Sequence, residues 1–437
     1  MTTDDQQAAA RTRTHHVALV HDGTVWTEDG SLPTFVHAED DGDPTRTATR
    51  LVSDAVHAAP PIPLPQPDEA VRADVLHVLA LRGDPEHVAD GAWLPVGELA
   101  EPFGERVGTA AAQYAGTAPR QRPDWFRTGW YDRVEAWIDD CLSARGSRRT
   151  EPVRIHRVWS ISAVLEVPTS GGTLWFKACC DHFRAEAAIL HRLCQRLPDL
   201  VPTVVAADEA EGWLLMEPLA GTSDRAEGAA EALAPVWAAA QLASLDWLDE
   251  LRTAGCPDRG VEPTLAAWRG VLARDPEMAL LRDDERAAVL GAAGEVEARV
   301  REFWSTGLPD TLAHGDLHPG NVAYDGQDLR LFDWTDACIS HPFLDGSHLA
   351  YFVASDGADA AAEQQLAAFA EPWRVAYPEA DVDRALALAP LADLVFQTVT
   401  FAAIAAATED GAGDFTGTVA FLVKASARQV GALPAET

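Results

Sequence analysis

Two short segments in the second half of the chain bring three oxygen-bearing side chains together. Residues 312–322 read Leu-Ala-His-Gly-Asp-Leu-His-Pro-Gly-Asn-Val, and residues 329–336 read Leu-Arg-Leu-Phe-Asp-Trp-Thr-Asp. The Asp-Gly pair between them is typical of a tight hairpin turn, which predicts two adjacent strands. This arrangement puts Asp316, Asn321 and Asp333 at the mouths of those strands.

These three side chains are the set that phosphoryl transfer needs. One carboxylate orients the acceptor hydroxyl, while an amide oxygen and a second carboxylate hold Mg²⁺ against the nucleotide phosphates. The order His-x-Asp, then Asn, then Asp after a hairpin is the catalytic-loop and metal-loop pattern of the kinase fold. We therefore predict Asp316 as the catalytic residue and Asn321 and Asp333 as metal ligands.

The spacing from His314 to Asn321, with Phe-Asp-Trp at 332–334, resembles the aminoglycoside phosphotransferase and choline kinase family, which phosphorylates small molecules. The resemblance implies an α+β, bilobal, protein-kinase-like fold and the cofactors ATP and Mg²⁺. It also implies a strand lysine that holds the phosphates and a helix glutamate that holds the lysine. Lys177, one of only two lysines in the chain, and Glu186 match these positions.

The nucleotide site departs from the protein-kinase pattern, because the glycine-rich loop is absent. The first hairpin of the kinase region instead offers Ser160 and Ser162, whose hydroxyl and backbone N–H groups we predict to face the phosphates. The resemblance further places the adenine against the connector formed by Met216, Glu217 and Leu219. An ordinary strand end, stopped by a proline, explains the same residues equally well.

Candidate acceptor contacts lie near the predicted strand that ends at Asp333. A carboxylate at Asp336 suits an acceptor that carries an ammonium group or several hydroxyls, since charge-assisted hydrogen bonds are strong. A role in bracing the loop explains Asp336 as well. The remaining predicted substrate contacts are His318, Trp334, His341 and Gln241.

The acceptor itself stays open between several small molecules. An N-terminal domain, residues 1–123, precedes the kinase-like region, and this layout resembles that of bacterial glucosamine kinases, which are relatives of the maltokinases. The resemblance implies phosphorylation of glucosamine to glucosamine 6-phosphate. Maltokinases tend to have glutamine where this chain has Asn321, which counts against maltose. Aminoglycoside O-phosphorylation, hence antibiotic resistance, is the main alternative, and a nucleotide-binding regulator without turnover is the non-enzymatic one.

Composition narrows the partners to small molecules. The 437 residues carry 68 acidic against 34 basic side chains, a net charge of −34, which argues against nucleic acid as a partner. The N-terminal sequence predicts no signal peptide, and we expect a cytoplasmic protein with no membrane partner. The six cysteines show no metal-binding spacing. Oligomeric state is not indicated.

Four regions are predicted along the chain. Residues 1–123 form a mixed α/β N-terminal cap domain, 124–150 an aromatic linker helix, 151–218 the kinase N-lobe and 219–437 a mostly helical C-lobe. Within them we predict a hairpin turn at 168–172 that leads into a strand at 173–178, a helix at 182–197 and one long helix at 226–254. The aromatic helix favours packing between domains over stacking on a ligand.

Overall fold

The computed structural model describes residues 12–38, 43–53, 56–64, 74–82, 84–88, 91–113, 116, 118–220, 229–355, 359–409 and 415–434. The chain divides into two compact units, Met1–Cys180 and Asp181–Thr437. The four predicted regions are not tested by this division and stay a prediction.

The first unit begins with a mixed seven-stranded sheet. Its central strand β1 (Thr12–His21) is antiparallel to β2 (Thr24–Thr27) and β3 (Thr34–Ala38). It is parallel to β6 (Val75–Leu81). Apolar residues of β1 and β6 are buried on both faces, as expected for the middle of a sheet. The other strands are β4 (Val56–Ala58), β5 (Ile62–Pro63) and β7 (Ala92–Pro95), and the helices are α1 (Pro44–Val52) and α2 (Phe103–Ala112).

The same unit ends in an aromatic helix and an antiparallel set of strands. Helix α3 (Trp130–Ser143) places the rings of Trp130 and Trp137 against Phe176, at centroid distances of 5.9 and 6.0 Å. Trp130 is only 1% exposed, so it serves packing, as predicted. Strands β8 (Arg154–Val158), β9 (Ser162–Thr169) and β10 (Gly172–Cys179) confirm the predicted hairpin and the strand at 173–178.

The second unit starts with helix α4 (Glu186–Arg196), which confirms the predicted helix at 182–197 apart from its first turn, where residues 181–183 form a 3₁₀ helix. A hairpin of β11 (Val204–Asp208) and β12 (Trp213–Met216) follows. The predicted single helix at 226–254 is wrong, because the described part forms two helices, α5 (Ala229–Ser244) and α6 (Leu248–Thr253). Residues 226–228 lie outside the described residues.

Helices make up the rest of the second unit, apart from two small hairpins. The helices are α7 (Val261–Arg274), α8 (Asp283–Trp304), α9 (Phe343–Ser355), α10 (Asp359–Ala376), α11 (Val382–Ala407) and α12 (Thr418–Gln429). One hairpin pairs β13 (Thr311–Ala313) with β16 (Cys338–Ser340), and the other pairs β14 (Val322–Tyr324) with β15 (Leu329–Leu331). Asp316, Asn321 and Asp333 lie in or beside the loops that connect these strands.

A single large apolar core joins the hairpins to the helices of the second unit. It includes Trp334 and Trp237, both 0% exposed. Within the described residues one helix, α11, is long enough and apolar enough to cross a membrane. Of its most apolar 18-residue window, 61% is buried inside the protein. The rigid core around the hairpins fixes where their polar loop points.

Candidate active site

The loop after β13 has a backbone that only glycine fits. Gly315 has φ of +82°, and a Cβ placed there would overlap the backbone carbonyl of Asp336. Two strand ends therefore approach each other closely at this point, because no side chain separates them. This approach brings Asp316, one residue on, beside the end of the metal strand.

A buried carboxylate accepts hydrogen bonds from the backbone of the same loop. Asp345, on α9 and 1% exposed, accepts hydrogen bonds from the backbone N–H groups of His314 (2.8 Å) and Gly315 (3.0 Å). It also accepts from Trp237 Nε1 (2.8 Å) and Gln241 Nε2 (3.1 Å). Four donors offset the cost of burying this group. Asp345 is therefore a brace for the loop backbone.

Asp316 lies at the surface of this cluster, with 39% of its side chain exposed. Its Oδ1 lies 3.2 Å from His348 Nε2, and its Oδ2 lies 3.1 Å from Asn321 Nδ2 and 3.5 Å from His318 Nε2. Burial opposes the charged form, but the contacts with His318 and His348 outweigh it and lower the pKa of Asp316 below its ordinary value. The carboxylate is thus ionised and held at both oxygens.

The backbone of Asn321 lies next to the segment that carries Asp333. The Asn321 backbone oxygen accepts from Phe332 N–H at 3.1 Å, next to Asp333. Because Asn321 Nδ2 donates to Asp316, its oxygen is the side-chain atom suited to a cation. Within the described residues no three His, Cys, Asp or Glu side chains form a metal site. A cation here would share its coordination with phosphates and water, as Mg²⁺ prefers.

Asp333 occupies a left-handed backbone conformation, with φ of +62°. Such a conformation costs about 1–2 kcal/mol for most residues, whereas glycine, asparagine and aspartate adopt it more readily. The next residue is tied down, since the Trp334 N–H donates to Glu186 Oε1 at 2.8 Å and the indole donates to Leu331 O at 2.9 Å. Helix α4 therefore holds the segment that carries the second carboxylate.

Asp336 completes a group of three neighbouring carboxylates. Its Oδ2 lies 3.0 Å from the hydroxyl of Thr335, which also lies 3.1 Å from Asp333 Oδ1. Burial first, and then the negative charges of Asp316 and Asp333, raise the pKa of Asp336 to about 7. The negative charges of Asp316 and Asp333 therefore act on Asp336, and a cation bound among these groups would offset part of that repulsion.

Three predicted substrate contacts lie inside the core instead. Gln241, Trp334 and His341 are each 0% exposed. Gln241 donates to Asp345, and His341 Nδ1 accepts from Phe343 N–H at the start of α9. Their burial corrects the prediction that they contact the substrate. His318 and Asp336 remain partly exposed beside Asp316.

The predicted nucleotide residues of the first unit lie on neighbouring strands. Lys177 is in β10, 7% exposed and opposite Val164 in the register. Ser162 begins β9 and accepts from Trp159 Nε1 at 2.7 Å, while Ser160 lies in the turn before it. Their contacts with a nucleotide stay a prediction.

The predicted connector of the second unit follows β12. Glu217 is exposed, and its backbone N–H donates to Thr203 O at 3.0 Å, so that donor is not available to an adenine. Met216 and Leu219 are half-buried. Their role at the nucleotide stays a prediction as well.

Two residues near Asp316 were missed from the sequence. His348, on α9, contacts Asp316 through Nε2 and Asp393, on α11, through Nδ1, both at 3.2 Å. Burial alone would lower the pKa of His348, but the charge of Asp393 and the contacts with both carboxylates raise it to about 10. One signal was present: Asp393 is the only charged residue between Arg384 and the end of its apolar helix.

Comparison with known proteins identifies the class. Residues 181–381 match the model of the phosphotransferase enzyme family, APH. This match confirms, over residues 181–381, the predicted resemblance to the aminoglycoside phosphotransferase and choline kinase-like family, and it supports a phosphotransferase. The predicted α+β, protein-kinase-like fold is confirmed. No curated protein matches the chain.

Several solved structures are similar to it in fold. The GDP complex of aminoglycoside 2′-phosphotransferase-IIIa is 16% identical, with a TM-score of 0.49, over 68% of this chain and 99% of that one. Choline kinase LicA from Streptococcus pneumoniae is 15% identical, with a TM-score of 0.47, over 69% and 100%. A putative fructosamine-3-kinase from Thermobifida fusca is 19% identical, with a TM-score of 0.43, over 68% and 98%.

Proposed function

We propose that this chain uses ATP and Mg²⁺ to phosphorylate a hydroxyl of a small aminosugar, and that glucosamine, converted to glucosamine 6-phosphate, is the acceptor. The observation that carries the proposal is the group of three carboxylates, Asp316, Asp333 and Asp336, around one braced loop. Burial, and then the negative charges of Asp316 and Asp333, raise the pKa of Asp336. A divalent cation and an ammonium group would each offset part of that charge.

Each side chain has a role that follows from its contacts. Asp316 orients the acceptor hydroxyl and accepts its proton as the new bond forms. Asn321 and Asp333 would hold Mg²⁺, which when bound offsets charge on the transferred phosphoryl group. Lys177 and Glu186 keep their predicted roles at the nucleotide, and Ser160 and Ser162 theirs near the phosphates.

The acceptor side of the cluster suits a cationic ring. Asp336 offers a carboxylate for an ammonium group. The His318 ring lies 4.9 Å from that of Phe352, and the neighbouring Tyr351 is 61% exposed. The face of an aromatic ring attracts a cationic amine. These features support an amine-bearing acceptor over a neutral sugar.

We place the reaction in the cytoplasm. Cys194, Cys256 and Cys338 are thiols without a disulfide, and Cys256 and Cys338 are buried. Thiols persist in a reducing compartment, which supports this location.

A coupled assay of ADP release tests the proposal. The acceptors are glucosamine, N-acetylglucosamine, glucose, maltose, kanamycin and choline, each with Mg²⁺ and with ATP or GTP as the donor. We expect turnover with glucosamine and ATP but not with N-acetylglucosamine, because acetylation removes the ammonium charge. The Asp316→Ala variant should lose ADP release by at least about 10²-fold while still binding ATP.

The other acceptors decide between the alternatives. Turnover with kanamycin but not glucosamine would make the chain an aminoglycoside phosphotransferase, and turnover with maltose a maltokinase-like enzyme. Equal rates with glucosamine and its acetylated form would remove the amine contact from the proposal. ATP binding without turnover of any acceptor would favour a nucleotide-binding regulator.

A further inference from the structure

We propose that His348 and Asp393 act together as positioning residues, holding the carboxylate of Asp316 in the one orientation that aligns the acceptor hydroxyl. The inference rests on the proposed function, because Asp316 is the catalytic residue there. It assigns roles to two residues that belong to helices outside the catalytic and metal segments.

Hydrogen-bond chemistry defines the charge of the histidine ring. His348 Nε2 lies 3.2 Å from Asp316 Oδ1, and Nδ1 lies 3.2 Å from Asp393 Oδ2. Ionised carboxylate oxygens only accept hydrogen bonds, so both ring nitrogens must donate. A ring that donates from both nitrogens is an imidazolium. His348 is therefore a cation between two anions.

The two oxygens of Asp316 are held from opposite sides. Oδ1 meets His348, while Oδ2 accepts from Asn321 Nδ2 at 3.1 Å. The first contact comes from α9 and the second from the metal segment. With both oxygens engaged, the carboxylate cannot rotate about its Cβ–Cγ bond. Loss of His348 would free that rotation on the acceptor side, and small misplacements of a catalytic group cost about 10²-fold in rate.

Helix α11 anchors the histidine and the loop at once. Asp393 is 8% exposed and holds the histidine, and Gln397, one turn further on, donates to the backbone oxygen of Gly315 at 3.0 Å. Phe352 packs against the His348 ring at a centroid distance of 5.1 Å. The ring is thus fixed by two helices as well as by its two acceptors.

Stability alone does not account for this arrangement. Two carboxylates and one imidazolium carry a net negative charge, and burying such groups is often less favourable than apolar packing of the same volume. Buried charged groups of this kind are concentrated at functional sites. The location directly behind Asp316 gives the arrangement a task there.

The first experiment compares His348→Leu and His348→Gln. Leucine removes both hydrogen bonds, and we expect kcat to fall by about 10²-fold with KM for ATP within about twofold. Glutamine keeps an amide donor, so we expect part of the rate to return. His191→Leu is the matched control, because this histidine is exposed on α4 and contacts Glu209. That control should keep the wild-type kcat.

A double-mutant cycle separates positioning from general damage. If His348 acts through Asp316, then His348→Leu should not slow the residual reaction of Asp316→Asn any further. Asp393→Asn should lower kcat in the same way as His348→Leu, and more weakly. An unchanged kcat in His348→Leu, or an equal loss in the Asp316→Asn background, overturns the proposal.

A spectroscopic measurement stands apart from turnover. In a protein labelled with ¹⁵N-histidine at pH 8, we expect one imidazole to be protonated at both nitrogens and to vanish in His348→Leu. Absence of that signal overturns the proposal. If the wild type phosphorylates no acceptor but the signal is present, the proposed function fails while the charged contact of His348 with Asp316 and Asp393 stands. If turnover is normal and the signal is missing, only the positioning role fails.

Discussion

The backbone N–H of Trp334 donates to Glu186 Oε1 at 2.8 Å. This bond joins the first turn of α4 to the residue directly after Asp333. Glu186 is 3% exposed and Trp334 0%, so the bond lies in the core. The conformation of the metal segment therefore depends on a helix residue that lies 148 positions earlier in the chain.

Replacing Glu186 separates its backbone contact from its charge. Glu186→Gln keeps an oxygen that can accept from Trp334, so we expect a melting temperature close to that of the wild type. Glu186→Ala leaves a buried N–H without an acceptor, which should lower the free energy of unfolding by about 1–3 kcal/mol. Chemical denaturation measures both. Equal stability of the two variants would contradict the structural role of this bond.

The positive φ of Asp333 predicts different effects for asparagine and alanine. Asparagine tolerates the left-handed region, so Asp333→Asn should fold as stably as the wild type, whereas Asp333→Ala should lose about 1–2 kcal/mol. Both remove the carboxylate that is proposed to bind the metal and should reduce phosphoryl transfer by at least about 10²-fold. Unfolding curves and the ADP assay test this together. A stable, active Asp333→Ala variant would exclude both roles.

Gly315→Ala should lower the free energy of unfolding by more than the strain of its backbone angle alone would. The added methyl group would be strained by the φ of +82° and would also overlap the carbonyl of Asp336. The total loss is several kcal/mol, from about 1–2 for the angle and about 1–3 for the overlap. Gly326→Ala is the control, because Gly326 has φ of +96° and no atom within 4 Å of such a methyl group. Similar losses in denaturation curves of the two variants would show that the close approach is unimportant.

Asp336 should make the metal-free protein less stable as the pH rises. Its pKa is about 7 in the folded protein against an ordinary value of 3.8, so the folded state binds the proton more tightly than the unfolded state. The contribution of this group to the free energy of unfolding is therefore greatest near pH 4 and falls as the pH rises toward 7. In Asp336→Asn that loss should disappear.

Melting temperatures in EDTA between pH 4.5 and pH 8 measure this difference. Asp336→Asn should gain stability relative to the wild type as the pH increases, and Asp328→Asn, at an exposed position in a hairpin, should run parallel to the wild type. Parallel curves for Asp336→Asn would contradict the raised pKa.

The parts of the fold that were predictable from the sequence are local. The hairpin of β9 and β10, the strand that carries Lys177 and the helix that begins at Glu186 follow from alternation and turn residues within a few positions. The predicted single helix at 226–254 was wrong, because local apolar periodicity does not reveal the turn after Ser244, where the chain packs back on the core. Gln241 and His341 were misplaced for a related reason: neither a helical pattern nor sequence proximity to a motif tells which side chains are buried.

Local sequence patterns located the residues of the candidate site: the acid after the glycine of the loop, the amide five residues later and the acid that ends the hairpin. Turn geometry and strand alternation are short-range effects, so these positions could be read directly. Tertiary structure alone decided that Asp345 braces the loop and that His348 and Asp393 stand behind Asp316. Those partners lie 32 and 45 residues apart along the chain, and only the packing of separate helices brings them into contact.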